Sequence, residues 1–147
     1  MEDSHNRWLS FQGAGQNHIL LVDRYYASAV AGEHAKWGRL DRELYSDRPS
    51  LTAAQAVADR QLVALCEALT PERLAVVTWW TGSGGDTCQD PIHIVLAHLF
   101  VHQIHHRGQV HHMLSGTRVK PPQLDEYLLS NDAPLREADL EELGIAR

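Results

Sequence analysis

Seven of the ten histidines fall between His93 and His112. Within that stretch the run His98–Gln109 reads HLFVHQIHHRGQ, placing His98, His102 and His106 four residues apart. On an α-helix, residues at this spacing stand above one another on one face, so the three form a ladder of imidazoles. Neutral imidazole suits borderline-soft divalent ions such as Zn²⁺ and Ni²⁺. The chemistry on offer is metal ligation, with two ligands from this helix and a third from elsewhere.

The ladder lies in Asp90–Ser115, which reads as one long helix. Asp90 is placed to cap it, Pro91 suits its first turn, and Gly116 closes it. With His98 at zero and about 100° per residue, Ile92, Val95, Leu99, Val110, Met113 and Leu114 fall between roughly 60° and 160°. The buried direction is then near 110°, and His106 (about 80°) and His102 (about 40°) are the pair aimed most nearly inward. His98 and His105 stand on the shoulder, at about 0° and −20°, while His93 and His111 point away near 220°.

A third ligand needs an apolar helix face of its own. Gln16 to Gly32 supplies one, with Asn17 as a candidate cap and Gly32 as a stop. His18, Leu21, Val22, Tyr25 and Ala29 lie within about 60° of one direction. His18 is thus one turn into a helix and in the middle of its buried face.

The remaining elements frame these two. Met1–Gly15 reads as an extended or irregular lead-in. Trp37, Leu40 and Leu44 suggest a short helical stripe, broken by Asp47-Arg48-Pro49. Thr52 and Gln55 fit a capping box for a helix carrying Leu51, Ala54, Val57, Ala58, Leu62, Leu65 and Leu69, ended by Thr70-Pro71. Leu74–Trp80 is β-branched and aromatic, and the glycine-rich loop Thr81–Cys88 follows, predicting an extended connection or a small hairpin. Leu124, Tyr127, Leu128 and Leu129 are placed to pack back on the body. Ala133–Arg147 holds at most one short acidic helical stretch.

Composition narrows the function classes. A net charge of −6 without a Lys/Arg cluster argues against nucleic acid as a partner. The apolar runs are too short for a membrane span, and MEDSHNRW lacks the layout of a secretory signal. Two cysteines, Cys66 and Cys88, without CxxC spacing fit a cytoplasmic protein with reduced thiols. The length of 147 residues suits a single domain, 1–147, with an adequate core.

NHILLVDRYY (Asn17–Tyr26) together with HLFVHQIHHRGQVHHML (His98–Leu114) resembles the DinB/YfiT-like family of metalloenzymes. DPIHIVLAHLF, and PPQLDEYLL from Pro121 to Leu129, run in the same manner, so the resemblance covers about four-fifths of the chain. It implies an all-α four-helix bundle holding a divalent metal ion, Zn or Ni, on three histidines. One matches His18 in the NHxLxxD helix; two match His102 and His106 in HxxxHRGQ, the pair that the wheel selects. It implies, further, a thiol-dependent S-transferase acting on a small-molecule substrate with a low-molecular-weight thiol such as mycothiol, bacillithiol or glutathione. Many members have no established reaction. The family usually carries a helix of about thirty residues ahead of the NHxLxxD helix, and this sequence lacks most of it. The groove so left is filled by Glu33–Tyr45, by a partner subunit in a homodimer, or by a longer N-terminus.

Other residues carry paired expectations. His98 and His105 either orient the ligating imidazoles or are plain half-exposed histidines; His111 and His112 read as surface residues. Tyr25, Tyr26, Trp79 and Trp80 read as core or rim aromatics before pocket lining. Arg107 reads as a bundle or dimer ion pair, Gly108 as a close-packing position, Gln109 as reaching the site edge, and Cys66 as structural. Three ligands leave a coordination position for water or substrate, and such an ion generates a nucleophile near neutral pH. No Asp or Glu lies on the ligand-bearing helix face, which favours thiol activation over a metal-hydroxide hydrolase. A non-catalytic metal-binding protein is the remaining alternative.

Overall fold

The computed structural model describes residues 2–33, 40–82, 84–118, 121, 129–134, 136–137 and 141, with side chains described from Gly15 onward. Two compact units divide the chain, 1–108 and 109–147. The fold is all-α with one small sheet. Its elements are α1 (Glu2–Ala31), α2 (Arg48–Glu67), α3 (Pro71–Leu74), β1 (Val77–Thr81), β2 (Thr87–Pro91), α4 (Ile92–Ser115) and a 3₁₀ turn at Ser130–Asp132.

α1 is the centre of the first unit. Between Asn17 and Val30, only His18, Arg24 and Ala27 escape full burial. The predicted stripe of Leu21, Val22, Tyr25 and Ala29 is buried, and Leu20 on another face is wholly enclosed. A helix apolar on several faces must be covered on several faces. One side packs Val22, Tyr25, Tyr26 and Val30 against Ile92, Val95, Leu96 and Leu99 of α4. Another packs Leu20 against Leu51, Ala54 and Ala58 of α2, with Leu44 and Tyr45 beside them. Truncating a fully enclosed residue here, Leu20 or Leu99, would cost about 2–5 kcal/mol through lost transfer energy and the cavity left.

Several boundaries differ from those predicted. Residues 2–15 are helical and continue into Asn17, so they form no irregular lead-in and Asn17 is no cap. That segment lacks an apolar period to betray it, and the helix propagates through it from the packed half. α2 starts at Arg48, not Thr52: Asp47 is its N-cap, accepting the Ser50 N–H at 2.8 Å, and Pro49 sits in the first turn. The tripeptide read as a break is a helix start. The Thr52–Gln55 box fails because Thr52 is already inside the helix, and Gln55 points elsewhere. α2 ends at Glu67, and Thr70 then caps the four-residue α3 by accepting the Arg73 N–H. Residues 40–47 form turns and bends in place of the expected stripe; Trp37 lies outside the described residues.

Gly32 does stop α1, in the left-handed region at φ 80°, where glycine carries no Cβ penalty. The hairpin expectation holds: β1 and β2 pair antiparallel, with Trp79 opposite Gln89 and Trp80 opposite Cys88. Asp90 ends up inside β2, where its carboxylate accepts the Trp80 indole N–H at 2.7 Å, and so does not cap α4. The hairpin is fastened to α1 by Tyr25, whose hydroxyl donates to the Thr81 carbonyl at 2.6 Å and accepts the Thr81 N–H. The Thr78 hydroxyl donates to the Ala29 carbonyl.

The second unit carries the end of α4, which closes at Ser115 as predicted, and the 3₁₀ turn. Leu124, Tyr127 and Leu128 lie outside the described residues. Leu129, expected to pack inward, is 67% exposed.

Candidate metal centre

His18 projects from the middle of α1, and His102 and His106 from successive turns of α4. The core between Val22, Tyr25 and Leu99 sets the two helices close enough for the three rings to meet. One nitrogen from each of His18, His102 and His106 lies within 4.8 Å of the others, and among the described residues this is the group of three or more possible ligands so gathered. The His102 and His106 ring centroids are 4.3 Å apart, those of His18 and His106 4.8 Å, and those of His18 and His102 5.1 Å. All three residues are half-buried.

Proton placement favours ligation. The Nδ1 of His18 is 2.8 Å from the Leu40 carbonyl, an acceptor only, so Nδ1 carries the hydrogen and Nε2 presents a bare lone pair. That Nε2 stands 3.2 Å from the Nε2 of His102. Two nitrogens bound tetrahedrally to zinc at about 2.0–2.1 Å would be roughly 3.3 Å apart, so the pair is already at ligand spacing. The Nδ1 of His102 is buried and finds no hydrogen-bond partner. A buried polar atom left so costs about 1–3 kcal/mol. Burial, and then the neighbouring His106, His18, His98 and His105, push the imidazolium of His102 down to about 4. His102 is therefore neutral at physiological pH, the form that binds metal. A divalent ion fits this donor set.

Around the triad, the other histidines separate clearly. The ring of His98 stacks on Trp80 at 6.4 Å and 24°, and packs edge-on to Tyr26 at 5.2 Å. It stands 6.4 Å from His102, outside the triad. Burial raises the Tyr26 phenol to about 12, so it stays protonated in this wall. Trp80 and Tyr26 thus line one flank, while Trp79 on the opposite strand face is half exposed. His105 touches His106 edge-on at 5.0 Å and is itself exposed. His93 points away from the triad, with Nδ1 3.0 Å from the Leu74 carbonyl. His112 is exposed, His111 half-buried, and Gln109 exposed, all within the second unit.

The pairing of Asp23, the last residue of the NHxLxxD motif, with Gln103 is not apparent from the sequence. Both are buried, and the Gln103 amide donates to the Asp23 carboxylate. Asp23 also accepts from Gln55 at 2.8 Å, which explains why Gln55 does not cap α2. A partial signal was available: Asp23 closes the apolar run Ile19–Val22 on the buried side of α1, and buried charge demands partners. Arg107 forms the expected bundle ion pair, 3.9 Å from Asp59 of α2. Gly108 is not a close-packing position, since a Cβ there would meet nothing within 4 Å. Cys66 packs against the core, and burial raises its thiol, so it is structural as predicted.

No curated protein and no solved structure shows significant similarity to the chain. A sequence profile of the DinB family matches residues 10–139, a span that includes all three clustered histidines, and the chain belongs to the DinB family.

Proposed function

We propose that the protein is a divalent-metal-dependent enzyme, with His18, His102 and His106 as its ligands and a low-molecular-weight thiol as the group activated for transfer to a small electrophile. The observation that carries this is the convergence of three imidazole nitrogens, from two helices, within 4.8 Å. Held on three ligands, Zn²⁺ or Ni²⁺ supplies an open position at which a thiol or water is acidified toward neutral pH. His18 contributes through an Nε2 whose tautomer the Leu40 carbonyl fixes. His102 remains neutral and available. Trp80, Tyr26 and His98 offer an aromatic flank for the acceptor substrate.

Water activation uses the same ligands, and a hydrolase is the alternative. It would call for a carboxylate base, yet both oxygens of the buried Asp23 are engaged, one by Gln55 and one by Gln103. That engagement favours the thiol reading. A metal buffer or sensor would instead bind several ions per chain and depend on His98, His105 and His112.

The decisive experiment incubates protein loaded with Zn²⁺ or Ni²⁺ with bacillithiol, mycothiol or glutathione and a panel of electrophiles. Metal-dependent loss of free thiol is expected, abolished in His102→Ala. Turnover of ester or amide substrates without any thiol would select the hydrolase instead.

No helix among the described residues is long and apolar enough to cross a membrane. We place the protein in the cytoplasm, where such thiols are reduced, as a homodimer. Ile94, Val101 and Ile104 give α4 an exposed apolar surface that a second copy can cover. A monomeric mass by sedimentation at about 100 times the assay concentration would remove the dimer.

A further inference from the structure

The two candidate ligands on α4 are each followed by a polar residue that is tied down. Gln103 comes directly after His102, and Arg107 directly after His106. The Gln103 amide donates to the Asp23 carboxylate on α1, while its side-chain carbonyl accepts the Arg107 Nε–H at 3.3 Å. Arg107 reaches on to Asp59 of α2 at 3.9 Å, and Gln55 of α2 donates to both Asp23 and Asp59 at 2.8 Å. The result is a closed ring of five side chains drawn from three helices: Asp23, Gln103, Arg107, Asp59 and Gln55.

We propose that this ring positions the metal ligands, with Gln103 and Arg107 fixing the rotation and height of α4 against α1. The physical argument is one of register. Apolar contacts between α1 and α4 are non-directional and tolerate small sliding or rotation. A ligand set does not: nitrogens must sit at about 2.0–2.1 Å from one ion. Hydrogen bonds are directional, and the ring applies them one residue beyond each ligand on α4. At the other end it grips α1 at Asp23, about one and a half turns from His18. Gln103 and Asp23 are 8% and 3% exposed, so each would be left unsatisfied if the helices slipped. The ring thus penalises any register except the one that brings His18 to His102 and His106.

This inference rests on the metal-centre reading, and the test separates the two. Zn²⁺ affinity is measured by competition with a chromophoric chelator at pH 7.5, alongside the melting temperature, for wild type, Asp23→Ala, Asp23→Asn, Gln103→Ala, Arg107→Met and the double variant D23A/Q103A. Zinc affinity is expected to fall about 10–100-fold in Asp23→Ala and Gln103→Ala, the usual effect of losing a group that orients ligands. The double variant should be no weaker than either single one, because both break the same link. Asp23→Asn keeps an acceptor for the Gln103 amide and should recover most of the affinity. Arg107 is half exposed and its ion pair with Asp59 is solvent-screened, so Arg107→Met should weaken zinc several-fold without a large melting shift. Lower melting temperatures with zinc affinity unchanged throughout would show a ring that only stabilises the bundle, and would overturn the proposal. Wild-type protein that binds no zinc would instead remove the metal centre itself, and the positioning role with it.

Discussion

Asn17 and His18, consecutive on α1, both hold the same segment. The Asn17 side chain accepts the Leu44 and Tyr45 N–H groups at 2.9 and 3.0 Å and donates to the Tyr45 carbonyl at 3.0 Å. His18 donates through Nδ1 to the Leu40 carbonyl at 2.8 Å. A segment without regular structure thereby has its backbone groups satisfied by a helix, and in return fixes the tautomer of a candidate ligand. Asn17 is wholly buried, so Asn17→Ala should cost about 2–4 kcal/mol, summing three net hydrogen bonds of about 1 kcal/mol each. Weaker zinc binding should accompany it, since the Leu40 carbonyl loses its anchor. Urea denaturation and a zinc titration check both; a variant as stable as wild type would deny the segment its structural role.

How much of this was legible in the sequence depends on the kind of signal. The buried faces of α1 and α4 follow from apolar spacing, and the wheel that placed Leu99 at its centre also picked His102 and His106. The third candidate ligand follows from His18 sharing a face with Leu21 and Tyr25. What escaped was polar and long-range. Asp23 and Gln103 lie 80 residues apart, and no local rule pairs a carboxylate with an amide at that distance. Asp47 does not stand out as a cap because Arg48-Pro49 behind it reads as a terminus, although proline serves equally well in a first turn. The helical run over residues 2–15 has no apolar period, so propensity and continuation from α1 decide it where pattern cannot.

Ligand substitutions should split the histidines into two sets. One ion per chain is expected in wild type, and His18→Ala, His102→Ala or His106→Ala should each reduce that to well below one by elemental analysis after dialysis. His98→Ala and His105→Ala should keep the full ion, because their rings lie outside the triad. Two or more ions per wild-type chain, lost with His98 or His105, would instead make the helix a metal buffer.

Two desolvated groups give opposite pH signatures in the metal-free protein. His102 is pushed down to about 4, chiefly by burial. Its folded pKa lies below the ordinary value near 6.5, so the folded state resists the proton. Its contribution is present above about pH 6.5 and is lost as pH falls toward 4. Asp23 is raised to about 6, again chiefly by burial and against the opposing bond from Gln55. Its contribution is present below about pH 4 and is lost as pH rises through 6, by at most about 3 kcal/mol for a shift of roughly two units. Asp23→Asn should therefore melt progressively higher relative to wild type as pH rises from 4 to 7. Melting curves at half-unit steps test this, and a wild-type-minus-variant difference independent of pH would mean that Asp23 is not held in a desolvating site.

Tyr25→Phe probes the hairpin without touching the triad. The Tyr25 hydroxyl both donates to and accepts from the Thr81 backbone at the end of β1. Thr81 follows Trp80, whose ring stacks on His98 beside the triad. Removing the hydroxyl leaves the hairpin fastened to α1 by the Thr78–Ala29 bond, while the Trp80–Asp90 bond still joins its two strands. A stability loss of about 1–2 kcal/mol is expected for two hydrogen bonds that water can partly replace at an exposed residue. Zinc stoichiometry should be unchanged, because no ligand depends on β1. If the aromatic flank receives the acceptor substrate, KM for that substrate should rise while metal content stays at one. Loss of zinc in Tyr25→Phe would instead couple the hairpin to the ligands and contradict the separation that the geometry draws between them.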